Sequence, residues 1–117
     1  MPDLSRKEVI MILAHPGNVR LAGVDLSGLD LSGLNFAGAD LIRSDLSHAN
    51  LTYAYMRHVQ LDNANMEGAD LTNANLKEAN LKGCRLAGAK MSGTILTDAN
   101  LSGAQLDALQ RRDAKGL

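Results

Sequence analysis

Residues 69–83 read ADLTNANLKEANLKG, in which Ala69, Ala74 and Ala79 each precede Asp or Asn and then Leu. A leucine at every fifth position suits neither regular element. Five residues of α-helix turn the chain by about 140° beyond a full turn, which scatters the leucines around every side. In a straight strand the odd repeat sends successive leucines to opposite faces. Within one pentad, however, Ala and Leu are two residues apart and share a face of an extended segment. Both point inward only if the chain turns a corner once per pentad, always in the same sense. The stretch therefore describes a coil wound about an axis, leucines inside, and the Gly, Asn and Asp residues at the remaining positions suit its turns.

Counting in fives from Leu71 extends the pattern both ways. The large position is filled by Leu21, Leu26, Leu31, Phe36, Leu41, Leu46, Leu51, Met56, Leu61 and Met66, then by Leu71, Leu76, Leu81, Leu86, Met91, Leu96, Leu101 and Leu106. All eighteen are large and apolar; ten have Ala two residues earlier, and eleven have Asp or Asn immediately before. A repeat this strict governs the fold before local propensity does. In the pentad Ala-Asp-Leu-Thr-Asn the positions are numbered one to five below.

These A(D/N)LXX pentads resemble those of the pentapeptide-repeat proteins, over residues 19–106. The resemblance implies an all-β solenoid: a right-handed, four-sided β-helix in which residues twenty apart stack. Eighteen pentads then make about four and a half coils. At about 4.8 Å per coil the array is on the order of 20 Å long. The core is expected to hold Leu21, Phe36, Leu41, Leu61, Leu71, Leu81 and Leu101 among its stacked residues. In the first coil position one carries Val19, Val24, Leu29 and Leu34, all larger than Ala, so this wider end needs a cover.

Residues 1–18 supply that cover as a short N-terminal capping helix and turn. SRKEVIMILAHPG opens with the capping box Ser5-x-x-Glu8, carries Val9, Ile10, Ile12 and Leu13, and halts at Pro16-Gly17, so a helix is expected over residues 5–14. Solenoid ends require such caps, because an open coil exposes leucines and unpaired strand edges. Residues 107–117 form a C-terminal cap or tail, where LDALQRRD is expected to make a turn or two of helix around Leu106 and Leu109. The N-terminal flank is similar to the segment preceding the repeats in eukaryotic BTB-domain proteins of the potassium-channel-tetramerisation type. These 117 residues contain no BTB domain, so the resemblance assigns no ligase role to the chain itself. For a fragment of a longer protein it implies, as an alternative reading, the client-binding share of a ubiquitin-ligase adaptor.

Composition excludes several classes of function. Twelve basic residues oppose thirteen acidic ones, so neither nucleic acid nor an anionic membrane attracts the chain as a whole. The longest strongly apolar run, Val9 to Ala14, is far too short to span a bilayer. No secretory signal opens the sequence, and the lone Cys84 suits a reducing, cytoplasmic setting. Inward positions filled by Leu, Met, Phe, Val and Ala leave no catalytic cavity, and no metal-ligand spacing or phosphate loop appears, so no enzyme activity, metal or cofactor is expected. Cys84 occupies position one and reads as a buried, inert thiol. Ser44 and Thr94 occupy the same position and are expected to bond to backbone.

The departures from the repeat carry the functional signal. LTYAYMRHVQ, residues 51–60, places Tyr53 and Tyr55 outward, with Tyr55 where Asp or Asn is usual, and Arg57 and His58 follow. With Lys77 one coil further on, these residues are the candidate protein-binding patch, since exposed Tyr and Arg have the composition of an interface hot spot. Lys77, Lys82, Arg85 and Lys90 read as a weak anion-binding strip, although the absence of stacking aromatics argues against nucleic acid. The expected function is a non-catalytic protein-interaction scaffold with an unidentified protein partner. The resemblance also allows a homodimer through the C-terminal coil, and the gyrase inhibition by DNA mimicry seen in some bacterial members. Nine acidic against seven basic residues over 19–106, and the short length, oppose mimicry.

Overall fold

The computed structural model describes residues 2–117, and its backbone follows the repeat. Fourteen parallel bridges each join residues one coil apart, from Arg20–Asp40 through Asn80–Asn100 to Ile95–Lys115. The bridged residues of the repeats stand at position two and are spaced by twenty, so four pentads close one turn of a four-sided β-helix. Positions three from Leu21 to Leu96 are all buried. Leu101 and Leu106 are only partly buried, because no further coil covers them. The molecule measures 36 × 27 × 22 Å, its caps included.

A backbone inventory explains why each pentad has its composition. In Asn50–Ala54 the Asn50 N–H donates back one coil to Leu29 O (2.9 Å), while Leu51 and Tyr53 donate forward to Asp70 O and Thr72 O (2.8 and 3.0 Å). Ala54 N–H closes the corner by donating to Leu51 O (3.1 Å). The one remaining donor, Thr52 N–H, goes to the Asn50 side-chain Oδ1 (3.0 Å). An unpaired backbone donor is costly, so position two needs a short side chain with an acceptor. All eleven Asp and Asn residues at that position accept the N–H two residues on. The Ser32 hydroxyl and amide, which both donate to Asp30, hold that carboxyl below its usual range.

Position five forms the corner. From residue 23 to residue 103 every fifth residue has positive φ: nine are Gly, and Arg43, His48, Tyr53, His58, Asn63, Asn73, Glu78 and Asp98 are not. Left-handed backbone costs a residue with a Cβ about 1–2 kcal/mol. Asn, Asp and His are the side chains found there most often; Arg43, Tyr53 and Glu78 are less suited to it.

Helix α1, Arg6–Leu13, starts at the Ser5 N-cap with both halves of the capping box formed. Val9 is fully buried in the core, with Ile12 and Leu13 packed against it. Two residues from this flank satisfy the first coil's open edge. Asp3 donates its N–H to Asp25 O (2.7 Å) and accepts the Asp25 N–H on its carboxylate (2.8 Å). Arg6 donates to Asp30 O (2.8 Å) and Ser32 O (3.2 Å).

At the other end the chain leaves the coil after Ala104 and forms α2, Ala108–Asp113, N-capped by Asp107. Leu109, one of the two residues around which this helix was expected, is 55% exposed. The anchor is Gln110, which is buried and donates from Nε2 to Leu86 O (2.7 Å) and Ala89 O (3.0 Å). In a regular coil Ala89 O would receive a backbone N–H, so the Gln110 amide stands in for it. Lys115 then rejoins the register beside Ile95.

Position one holds two further results. Thr94 Oγ1 donates to Leu71 O (2.7 Å), but the Ser44 hydroxyl, although buried, has no partner, contrary to the expectation for it. Ala fills this position in ten pentads, so Ser44→Ala removes a buried unsatisfied group without opening a void. The variant should be more stable by about 1 kcal/mol, read from its urea midpoint. The Cys84 Sγ donates to Leu61 O (2.8 Å), and burial pushes its pKa up to about 12.

Candidate functional site

The third and fourth sides of the coil meet at Tyr53. Its neighbours one coil to either side at position five are Gly33 and Asn73, and its side chain is 69% exposed. Tyr55 follows at position two of the fourth side, bridged between Asn35 and Asn75, and is 41% exposed. The coil before it presents only Asn35, Ala37 and Gly38 on this side, so both tyrosines stand beside a low shelf of small residues. Tyr55 has no acceptor to offer the Arg57 N–H, and the local turn lacks the side-chain support that Asn or Asp provides elsewhere.

Arg57 and His58 converge on a residue absent from the expected patch. Glu78 lies at the position-five corner twenty residues after His58. Its Oε1 is 3.1 Å from Arg57 Nη2, and its Oε2 is 2.9 Å from His58 Nε2. The hydrogen bond and charge of Glu78, with a smaller contribution from Tyr55, raise the Arg57 pKa above its ordinary value. Glu78 thus fixes both side chains against the surface. Lys77 lies next to it, half-buried, and makes no ion pair among the described residues. The structure therefore brings together Tyr53, Tyr55, Arg57, His58 and Lys77, and adds Glu78. Twenty-residue stacking from His58 could have found Glu78; the sequence pattern alone showed it only as an acid among bases.

The basic strip does not exist. Lys77, Lys82, Arg85 and Lys90 belong to four successive pentads, and each pentad is a different side of the coil, so the four charges point in four directions. Arg85 Nε instead holds Glu67 Oε1 at 3.0 Å. Among the described residues, no group of three His, Cys, Asp or Glu is placed to hold a metal ion.

Fold and surface together define a β-helical solenoid whose inside is filled and whose variation lies outside. The profile of pentapeptide repeats matches residues 20–52, 39–77 and 74–108, in eight copies. This chain belongs to the pentapeptide-repeat family. Solved members share its fold, a right-handed β-helix. HetL, a pentapeptide repeat protein involved in heterocyst differentiation regulation from the cyanobacterium Nostoc sp. strain PCC 7120, is 37% identical over 70% of this chain and 38% of its own, with a TM-score of 0.69. Rfr23 from the cyanobacterium Cyanothece 51142 is 32% identical over 81% of this chain and 63% of its own (TM-score 0.54). A pentapeptide repeat protein of the Arabidopsis thaliana thylakoid lumen is 32% identical over 78% and 80% (TM-score 0.53). The chain thus spans less than two thirds of the first two. No curated protein matches the sequence. The family profile begins at residue 20, so the expected likeness of the N-terminal flank to BTB-linked proteins is not shown.

Proposed function

We propose that this protein is a non-catalytic binding module, a solenoid of about four and a half coils capped by α1, which presents the Tyr53–Tyr55–Arg57–His58 side to a protein partner. The observation that carries this reading is the convergence of Arg57 and His58 on Glu78 beside two exposed tyrosines. Rigid aromatic surface and a pre-positioned guanidinium are features of interface hot spots. Two local departures point the same way: Tyr55 forgoes the turn-supporting acceptor, and Tyr53 takes a left-handed corner. The filled bore leaves binding rather than catalysis as the work of the fold. HetL, a relative with a regulatory role, is in keeping with such a module. Near-neutral charge over the repeats disfavours duplex-DNA mimicry.

The test is a quantitative pull-down under cytoplasmic, reducing conditions, comparing wild type with a Tyr55→Asn, Arg57→Ser double variant. The Tyr55→Asn change restores a side-chain acceptor for the N–H at position 57, worth about 0.5–1.5 kcal/mol, so the variant stays folded. A partner held by wild type and lost by the variant supports the reading. Equal retention removes the patch from it, and self-association through the C-terminal coil becomes the next reading to test.

A further inference from the structure

The departure of the chain at Gln105 leaves a cleft of ≈ 540 Å3 whose walls include Arg85, Leu86, Gly88, Gln105, Leu106 and Asp107. That volume falls in the roughly 300–1,000 Å3 range of clefts that hold ligands. In the coil before, Met66 N–H donates to Arg85 O (2.8 Å), Gly68 N–H to Ala87 O (2.9 Å), and Arg85 N–H to Ala64 O (3.1 Å). The corresponding groups of the next strand are Leu86 N–H, Gly88 N–H and Cys84 O. None of the three has a hydrogen-bond partner among the described residues. They are the two donors and one acceptor with which this solenoid binds one more parallel strand.

Charge narrows the choice of occupant. Two other cations stand at position two within the repeats, and each has an aspartate as its backbone neighbour one coil away, without a direct ion pair: Arg20 beside Asp40 and Lys90 beside Asp70. Arg85 is bridged on one side to Asn65, and its other neighbouring slot, where Gln105 would pair, is the open cleft. Two acids also line the cleft, and both are engaged: Asp107 accepts the Gln110 N–H (2.8 Å), and Glu67 Oε1 lies 3.0 Å from Arg85 Nε. Arg85 is 68% exposed, and its terminal nitrogens, which have no acceptor among the described residues, are the donors left for an incoming carboxylate.

We propose that this cleft is a docking site for an extended, acidic segment of a partner protein, added as a parallel strand along Arg85–Gly88. In that register an Asp or Glu of the segment gives its N–H to Cys84 O, accepts Leu86 N–H on its carbonyl, and sets its carboxylate beside Arg85. The next residue is apolar and lies against Leu86 and Leu106. The carbonyl of the one after accepts Gly88 N–H. Strand addition of this kind takes affinity from main-chain bonds and specificity from alternate side chains. The site is separate from the tyrosine patch and does not depend on it.

The probe is the blocked peptide Ac-Ala-Asp-Leu-Thr-Asn-NH2, with Ac-Ala-Lys-Leu-Thr-Asn-NH2 as its charge-reversed control, read by residue-resolved amide exchange. In the free protein Leu86 and Gly88 amides should exchange fast while Met66 and Gly68 are protected. At a peptide concentration 100 times Kd, exchange at Leu86 and Gly88 should slow by about 100-fold, the factor 1 + [L]/Kd. Arg85→Glu, on an exposed side chain, should reverse the preference between the two peptides. The proposal is overturned if both amides are already protected in the free chain, or if neither peptide slows them. Equal protection by both peptides also overturns it. So does protection that appears on raising protein concentration alone with a doubled mass, which assigns the cleft to a second copy of this chain.

Discussion

Leu71→Ala is expected to lower stability by about 2–5 kcal/mol, the range for emptying a fully buried leucine site. Leu71 lies mid-array, fully buried, with coils on both sides. Its bore cannot collapse around the loss, because the neighbouring backbone is held by inter-coil bonds such as Leu51 N–H to Asp70 O (2.8 Å) and Leu71 N–H to Lys90 O (2.8 Å). Small domains have only about 5–15 kcal/mol in total, so the variant should be largely unfolded under mild denaturant. Urea titration followed by circular dichroism gives the number. The same change at Leu106, which is partly buried at the open end, should cost clearly less. Equal losses at the two sites would mean that the last coil is as enclosed as the middle of the array.

The second large effect is expected at a corner. Gly83 has φ +68°, and a Cβ there would run into the Asn63 side-chain oxygen one coil away. Gly83→Val places a β-branched residue in left-handed backbone, a strain of about 1–3 kcal/mol, and also displaces Asn63. Arg43→Gly makes the opposite change in the same column. Arg43 has φ +58°, and relief of its strain should stabilise the protein by up to about 1–2 kcal/mol, less the entropy glycine adds to the unfolded chain. Opposite signs at residues 43 and 83 in one thermal series would mark position five as the left-handed corner. A neutral Gly83→Val would place the corner elsewhere.

Most of this architecture was legible in the sequence because one period states it repeatedly. The leucine spacing implied the coil, and the Asp and Asn residues at eleven of the eighteen second positions suited its turns, which the eleven side chain to backbone bonds now explain donor by donor. Ser5 and Glu8 marked the start of α1 as the structure has it. What the period could not show lies where the chain stops obeying it. The C-terminal helix was expected around Leu106 and Leu109, yet the end of a coil exposes carbonyls, and the buried Gln110 amide answers those where a leucine does not. Ser44 shows the reverse case: a hydroxyl at an inward position finds an acceptor at Thr94 and none at 44.

The candidate patch was legible in composition, while its connectivity was not. Tyr53, Tyr55, Arg57 and His58 are neighbours in sequence, so their proximity needed no fold. Glu78 enters only through the turn of the coil, which brings residues twenty apart into contact. The same geometry dissolves the basic run from Lys77 to Lys90, since nearness in sequence across pentads means different sides. Electrostatic readings of a solenoid are sound along columns of twenty and fail along the chain.

Stacking by twenty is thus the claim on which the fold, the Arg57–His58–Glu78 cluster and the open strand at Arg85 all rest. Disulfide trapping in a Cys84→Ala background tests it most directly, using Thr52→Cys with Thr72→Cys against Thr52→Cys with Lys77→Cys. Neighbouring coils lie about 4.8 Å apart, within the roughly 4.4–6.8 Å Cα separation a disulfide spans. The expected result is rapid intramolecular cross-linking of the 52–72 pair and none of the 52–77 pair. Cross-linking of 52 to 77, with 52 and 72 left free, would contradict the four-sided coil and everything built on it.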